Sequence, residues 1–549
     1  MKNSLFDNKN IFLFFSILLY ALLFITIILM ASTPPVDRDA LTHHLAIPKL
    51  YIEHGGIYEI PDIEFSYYPQ LLELIYAIPL FFGNDIIPKY IHFGMALFSS
   101  FFVYKILRQR ASLYAACAGA LFFLSLPVIV KLSVTVYVDL GLIFFSFLSL
   151  YYLIKWQRLE KLRYLVFSAL SCGFAMSCKY NGLIVFMLMM FAVIWLSEKK
   201  VAKSKFVIER ACLFCIVAII IFSPWLVKNY LWTKNPVYPL YNSLFNPSDS
   251  HTGLAGGESV KKSHFYYRRV VHGESFFETI TTPVRIFFQG RDDDPKYFDG
   301  RLNPFLFFLP IISMIVEVVR YMKKKLPDHE KILLFSFAWA YIIFVYVQTD
   351  MRIRWIGPAI APLTVLSFIG LGELWQIIKK KFGCSGLTIK SAFAIIIIAM
   401  FSMNYNYFFE LYKKIDPIPY LSGKISRGEY IQNQRPEYSA YQYINQKVDR
   451  NAKIFGLFVG NRRYYCDRPM VTDENVFRKF TNNANSAKDI FNNLTNIRIT
   501  HFVVGEELYS SWLSGVFDDD HQKIILDFWR LHARLIFRAY GYSVYEIIK

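Results

Sequence analysis

Between residues 11 and 409 the sequence returns repeatedly to one pattern, an apolar run long enough to cross a lipid bilayer. A hydrocarbon core of about 30 Å is crossed by about 20 residues of helix. Runs of this kind fall at 11–31, 87–104, 113–131, 135–154, 164–178, 180–197, 207–228, 304–321, 331–349, 354–377 and 389–409. They predict a polytopic α-helical membrane protein of about 11 spans, with about 13 as the upper bound. The stretch YYPQLLELIYAIPLFFG, 67–83, is ambiguous, being short, acidic at Glu73 and interrupted by Pro69 and Pro79.

Charge resolves the ambiguity. If 67–83 does not cross, the basic clusters Lys105/Arg108/Arg110 and Lys155/Arg158/Lys161/Arg163 fall on one side with Lys2 and Lys9. Lys199/Lys200/Lys203/Lys205, Arg320/Lys323/Lys324/Lys325 and Lys379/Lys380/Lys381 join them there. Cytoplasmic loops collect Lys and Arg, so this arrangement is preferred, and 67–83 is predicted to be a juxtamembrane or re-entrant helix. The N-terminus is then inside. Loops 32–86 and 229–303 and the tail 410–549 are outside. The tail reads as a small α/β domain: YSAYQYINQKV has a helical pattern, while AKIFGLFV, ITHFVVG and YSVYEII have strand patterns. The predicted domains are thus 1–409, carrying both outer loops, and 410–549.

Composition excludes other classes. The chain is 55% hydrophobic and only 19% charged, too apolar for a soluble multidomain protein. Its net charge of +18 is accounted for by the cytoplasmic loops, and no basic stripe or finger motif points to nucleic acid. Five of the seven cysteines, Cys117, Cys172, Cys178, Cys212 and Cys215, lie in or beside apolar runs, and Cys384 and Cys466 stand apart. This spacing suggests neither a disulfide framework nor a metal site. The run 11–31 exceeds the usual signal-peptide core of about 7–15 residues and lacks a small-x-small cleavage site, so a retained first span is expected.

Carboxylates near the outer surface raise the functional question. STPPVDRDALTHHLAIPKLYIEHGG places Asp37 and Asp39 just after the first span. Asp39 and His43 are four apart and share a helical face, with Leu41, Leu45 and Leu50 on another. Either aspartate suits an N-cap or turn, and Asp37, Asp39 and His43 also suit a metal, so a divalent cation stays open. In SVTVYVDLGLIFF, Asp139 enters an apolar span, where a carboxylate needs a partner or a task. Cationic and polar groups stand at the same ends of other spans: Lys179 and Tyr180 in SCKYNG, Lys228 in PWLVKNYLW, Arg352 and Arg354 in TDMRIRWIGP. Each alone suits an interfacial anchor. Together with the carboxylates they suit sugar transfer from a lipid phosphate, in which cations stabilise the leaving phosphate and a carboxylate takes the acceptor's proton.

These pieces, in this order, resemble the GT-C superfamily of polyprenyl-phosphate-sugar-dependent glycosyltransferases. That group includes protein O-mannosyltransferases, lipid A aminoarabinose transferases and lipopolysaccharide-core transferases of the RgtA/B/C/D-like type. The resemblance runs over about 10–410. It rests on DRDALTHHLAIPKLYIEHGG, YYPQLLELIYAIPLFFG, YVDLGLIFF, CKYNGLIVF, SPWLVKNYLWTKNPVYPLYN and RIRWIGPAIAPL. It implies Asp39 as catalytic carboxylate, with Asp37 as second choice and Asp139 as supporting acid. It further implies Lys179, Arg352 and Arg354 near a donor phosphate, with Tyr180 and His43 beside them. The implied partners are a polyprenyl-phosphate-linked sugar, membrane lipids and an acceptor glycan, lipid or protein. The implied location is a bacterial inner membrane with the site on its outer face. No cofactor is called for outright, and a divalent metal remains possible. The chain departs from many relatives in having Asp-Arg-Asp for Asp-Glu, and Gln70 for the second proline of a Pro-Pro pair.

Two other readings share these features. An O-antigen polymerase or ligase would rely on arginines of the large loop, here Arg268, Arg269, Arg285 and Arg291. A lipid-linked-glycan transporter would carry mid-span charges and repeat symmetry; the charges here gather at span ends.

Overall fold

The structure, a computed structural model, describes residues 9–200, 204–247, 264–382 and 387–548. Lys2, Lys203 and Cys384 lie outside them. The chain forms two compact units. One comprises Met1–Ala31, Tyr67–Leu72 and Pro88–Asp416; the other comprises Ser32–Ser66, Glu73–Ile87 and Pro417–Lys549.

The first unit is helical. Its N-terminal helix is α1 (Lys9–Ala31). Two short helices, α2 (Ala46–His54) and α3 (Leu71–Phe81), come next in the chain, and α2 and all of α3 after Leu72 lie in the second unit. The bundle continues with α4 (Ile87–Arg108), α5 (Leu113–Ser125), α6 (Pro127–Ser133), α7 (Asp139–Leu159) and α8 (Leu162–Cys178). Then come α9 (Gly182–Lys200) and α10 (Ser204–Thr233). Short helices α11 (Asn242–Phe245), α12 (His264–Tyr266), α13 (Phe276–Ile280) and α14 (Thr282–Arg285) occupy the long loop. The last four are α15 (Phe305–Met322), α16 (His329–Gln348), α17 (Gly357–Phe382) and α18 (Leu387–Ile415).

Among the described residues seven helical stretches are long and apolar enough to cross a membrane, or eight if one bent pair is a single span. The protein is an integral multi-pass membrane protein. The predicted spans 11–31, 164–178 and 180–197 are helical too, but their described apolar stretches are shorter: Ser16–Ala31, Leu162–Cys178 and Gly182–Glu198. The predicted single span 113–131 is instead the bent pair α5 and α6, which meet at 62°. Leu126 is extended, at φ −58° and ψ 135°, because the ring of Pro127 disfavours the helical conformation in the residue before it. The ambiguous 67–83 contains only the 11-residue α3, which is too short to span.

Small residues let the helices approach. A Cβ on Gly370 in α17 would come within 2.3 Å of the Leu309 carbonyl oxygen in α15. One on Gly173 in α8 would come within 2.7 Å of the Ala218 carbonyl in α10. Backbones meet this closely in membrane bundles where side chains are smallest. At the end of α7 remote from Asp139, ion pairs fasten the loops. Arg110 holds Asp328 at 2.7 Å and also pairs with Glu330, which binds Arg158 as well. Lys331, 1% exposed, bonds Glu317 at 2.9 Å and Glu373 at 2.6 Å.

The second unit is built on a five-stranded sheet. Its strands are β1 (Ile454–Leu457), β2 (Met470–Val471), β3 (His501–Gly505), β4 (Ala533–Ala539) and β5 (Tyr542–Ile547), in the order β2-β1-β3-β5-β4. The β1 strand runs parallel to β2 and β3, and β5 runs antiparallel to β3 and β4. Alternate residues serve opposite faces. Phe455, Leu457, Phe502 and Val504 enter one apolar cluster, while Ile454 and Val503 enter another. Burial on both faces explains the nearly unbroken apolar runs.

The unit boundary differs from the predicted domains. The first loop, assigned from the sequence to 1–409, clusters with the C-terminal segment. Hydrogen bonds supply the reason. Lys49 reaches Asp467 at 2.7 Å, Arg427 pairs with Asp85, and the Tyr465 hydroxyl donates to the Pro35 carbonyl at 2.7 Å. The loop also has a small core of Ile47, Tyr51, Ile60 and Ile63.

Replacing Lys331 by Met takes the buried ammonium from Glu317 and Glu373, leaving Glu317 only the more exposed Arg320 and the Asp328 amide. Loss of one partner of a buried ion pair costs about 3–5 kcal/mol. The Lys331→Met protein is expected to unfold at a clearly lower temperature than wild type in detergent; an unchanged unfolding temperature would refute the staple.

Candidate functional site

Asp139 opens α7 and is 1% exposed. Lys179, in the extended residue that closes α8, donates from Nζ to Asp139 Oδ1 at 2.9 Å. Asp139 Oδ2 is buried with no hydrogen-bond partner among the described residues. Arg354 lies close enough for its charge to act on Asp139, and its guanidinium stands 4.9 Å from the centre of the Tyr137 ring. Three predicted site residues are thus brought together: Asp139, Lys179 and Arg354.

His92, which the sequence reading passed over, sets the position of this carboxylate. Its Nδ1 meets the carbonyls of Leu132 and Thr135 at 2.9 and 3.1 Å, and its Nε2 lies 2.9 Å from the Leu140 N–H. Carbonyls only accept and an amide only donates, so Nδ1 carries the proton and Nε2 the lone pair. The ring thereby joins the end of α6 to the first turn of α7, satisfying an amide that a helix start leaves open. The only signal was a histidine inside an apolar run, which by itself is uninformative.

Tyr180 donates to the Tyr238 carbonyl at 2.7 Å and accepts from Asn229 Nδ2 at 2.9 Å. Asn229 also donates to the Tyr67 carbonyl at 2.8 Å, and Lys228 reaches the Tyr68 carbonyl at 3.3 Å. Tyr180 therefore braces the turn that carries Lys179. Arg352 stands apart from this group: it lies 3.6 Å from Asp299 and over the Trp355 ring.

In the second unit, Asp37 and Asp39 are partly exposed. The helix that follows them starts as a π turn, Ala40–His44, in which the Leu45 N–H reaches back to the Ala40 carbonyl at 2.9 Å. Asp39 occupies the N-cap position without a side-chain capping bond. The extra residue in the turn leaves the Leu41 carbonyl outside the usual ladder. It accepts instead from the backbone N–H groups of Arg463 and Tyr464, at 3.2 and 3.1 Å. Arg435 donates to the Val36 carbonyl, and Tyr465 to that of Pro35. Burial pushes the Tyr465 phenol well above its ordinary value, which keeps it a donor. Carbonyls on both sides of the two aspartates are therefore held by the C-terminal segment.

His43 stacks on Phe65 at 4.1 Å, with its Nδ1 2.7 Å from the Thr42 hydroxyl. His44, unremarked in the sequence, pairs with Glu73 at 2.8 Å. Among the described residues no group of three His, Cys, Asp or Glu side chains is arranged to hold a metal ion. The large-loop arginines have other employment. Arg268 is fully buried on Glu274, Arg285 lies 3.1 Å from Glu274, and Arg291 lies 3.7 Å from Asp294. Arg269 stands 6.0 Å from the Phe276 ring centre.

Comparison with known proteins agrees with this architecture. Residues 75–227 match the family model described as dolichyl-phosphate-mannose-protein mannosyltransferase. That stretch contains His92, Asp139, Lys179 and Tyr180. The structure is similar to ArnT from Cupriavidus metallidurans bound to undecaprenyl phosphate, with a TM-score of 0.56 and 13% identity over 96% of this chain and 97% of that one. It is also similar to the oligosaccharyltransferase AglB from Archaeoglobus fulgidus in complex with an inhibitory peptide and a dolichol-phosphate. There the TM-score is 0.54 and the identity 11%, over 100% of this chain and 75% of that one. No curated protein matches the sequence. The chain therefore shares its fold with these two structures.

Lys179→Met leaves Asp139 as a buried charge without its ammonium partner, a loss of about 3–5 kcal/mol. Unfolding in detergent is expected to shift markedly downward. Combining it with Asp139→Asn should restore most of the shift. Additive losses in the double variant would show that the two side chains are not coupled.

Proposed function

We propose that the protein is a membrane glycosyltransferase that moves a sugar from a polyprenyl-phosphate donor to an acceptor hydroxyl on the extracytoplasmic face. The observation that carries this reading is Asp139, a buried carboxylate opening an apolar span, salt-bridged by Lys179 and with one oxygen unpartnered among the described residues. Buried charge in a membrane helix is retained for function by default. The family-model match across this region and the likeness to two structures that hold a lipid phosphate support the donor class.

The assigned roles follow from the chemistry of transfer. Asp39 acts as general base toward the acceptor hydroxyl, with Asp37 as second candidate. A carboxylate near the anomeric carbon needs only hydrogen-bond reach to the proton that it takes. As the sugar–phosphate bond breaks, charge grows on the departing phosphate. Lys179 and Arg354 stabilise that charge, with Arg352, now held by Asp299, as the third candidate, since fixed cations in a water-poor site act more strongly than in solution. Asp139 holds Lys179 in place and keeps its ammonium oriented. Tyr180 and His43 line the donor side. The acceptor is a glycan, lipid or protein bearing a free hydroxyl, and the membrane is that of a bacterial cell envelope. A divalent metal would fall to Asp37, Asp39 and His43, which are not gathered as a ligand set.

The large-loop arginines weigh against the polymerase or ligase reading. Arg268 and Arg285 both pair with Glu274, so the two guanidiniums are engaged in holding the loop together.

Mass spectrometry of envelope glycans with and without the gene tests the function and names the sugar. Deletion is expected to remove one sugar residue, and wild-type protein to restore it. Asp39→Asn should lower transfer by roughly 100-fold or more at unchanged expression, the usual worth of a general base. Restoration by Asp39→Asn at the wild-type rate would eliminate Asp39 as the base.

A further inference from the structure

The long loop carries an apolar surface that the glycosyltransferase reading does not use. Phe276 and Phe277 are 60% and 75% exposed, and Ile280, Val284 and Phe288 are exposed as well. Phe277 and Ile280 on α13, Val284 on α14 and Phe288 just beyond it recur at helical spacing and are all exposed, so they form one stripe. The opposite side is fixed. Thr279, Thr282, Ile286 and Phe287 are buried, and the Tyr346 hydroxyl of α16 donates to the Thr279 carbonyl at 2.9 Å.

The polar groups of this segment are turned inward or closed on themselves. Arg285 donates to the Glu278 carbonyl at 2.6 Å and pairs with Glu274. Glu278 folds back to accept from the Ser275 N–H at 2.8 Å, completing a capping box. The Thr281 hydroxyl donates to the Phe277 carbonyl at 2.7 Å. With its backbone bonded internally and its one exposed carboxylate, Glu278, held in a capping box at its start, the segment suits the boundary between headgroups and acyl chains, where polar groups are tolerated.

The stripe also continues into a membrane span. Phe288 packs on Phe307 and Phe308, at 5.7 and 5.5 Å between ring centres. Phe308, Ile315, Val319 and Met322 are exposed along α15, one of the helices long and apolar enough to cross the bilayer. On a membrane span such a row faces lipid. The loop stripe is therefore the end of a lipid-facing surface, and its phenylalanines lie where interfacial aromatics gather.

We propose that the segment Phe276–Phe288 is inserted in the interfacial layer of the bilayer, so that the lipid surface is the partner of this face. The inference is independent of the enzymatic reading. Insertion would fix the depth of the loop and hold the buried Arg268–Glu274–Arg285 group beneath it at a constant distance from the membrane.

The test uses the full chain in phosphatidylcholine–phosphatidylglycerol vesicles. A photoreactive benzophenone analogue of phenylalanine replaces Phe277, with Leu526 of the second unit, also exposed, as the control position. After irradiation, intact mass is expected to show lipid adducts roughly tenfold more often at 277 than at 526, the contrast between lipid-facing and water-facing side chains. Equal yields, or chain-to-chain adducts marking a second copy on this face, would overturn the proposal. Hydroxyl-radical footprinting of the unsubstituted chain gives a second measure that needs no variant. Phe277 should stay unoxidised while exposed Tyr540 is modified; oxidation of both at similar rates would overturn it equally.

Discussion

A carboxylate held at the first turn of an apolar helix is the constraint around which the first unit is organised. Removing an ion from water costs several kcal/mol even in a relaxed protein, so Asp139 cannot be left to itself. Lys179 answers it directly, and Lys179 is held in an extended residue between α8 and α9. That turn is braced by Tyr180, Asn229 and the carbonyls of Tyr67 and Tyr238. From the other side His92 grips the peptide next to the aspartate. A single buried charge thus reaches α4, α6, α7, α8 and α10.

The second unit solves a different problem. Asp37 and Asp39 stand on a short segment without regular structure of its own to define it. The π turn supplies definition by leaving the Leu41 carbonyl open, and the C-terminal segment closes it with two backbone amides. Side chains of Arg435 and Tyr465 take the carbonyls on the near side. These contacts go to backbone, so they fix the path of the chain that carries the two carboxylates. This gives the C-terminal domain a physical role that its lack of motifs concealed.

The helices of the membrane part were legible because apolar runs of bilayer length leave few alternatives. The bend at Pro127 could have been read from SLPV, but the surrounding run is apolar enough to mask it. Asp139 and Lys179 were legible as individuals, since charge at a span end stands out. Their pairing was not, because it depends on how α7 and α8 pack. His92 was invisible for another reason: the bonds by which it joins α6 to α7 go to backbone atoms, which no residue identity announces. The attachment of the first loop to the tail lay further out of reach. Lys49 and Tyr464 are 415 residues apart, and Pro35 and Tyr465 are 430 apart. Local pattern carries no information over that distance.

The two ends of α7 show how a site differs from a staple. At its last turn Arg158 joins a network with the carboxylates Asp328, Glu330, Glu317 and Glu373. Both oxygens of each are engaged. Asp328 and Glu330 are bound by Arg110 and Arg158, and Glu317 by Lys331 and the Asp328 amide. Glu373 is bound by Lys331 and the Ser313 hydroxyl. Nothing there is left to do. At the first turn, about 30 Å away along the same helix, Asp139 has one oxygen satisfied and one not. Native structures rarely leave a buried polar atom unpaired, and each exception calls for a cause. The unmet oxygen sets Asp139 apart from the carboxylates at the other end of the same helix.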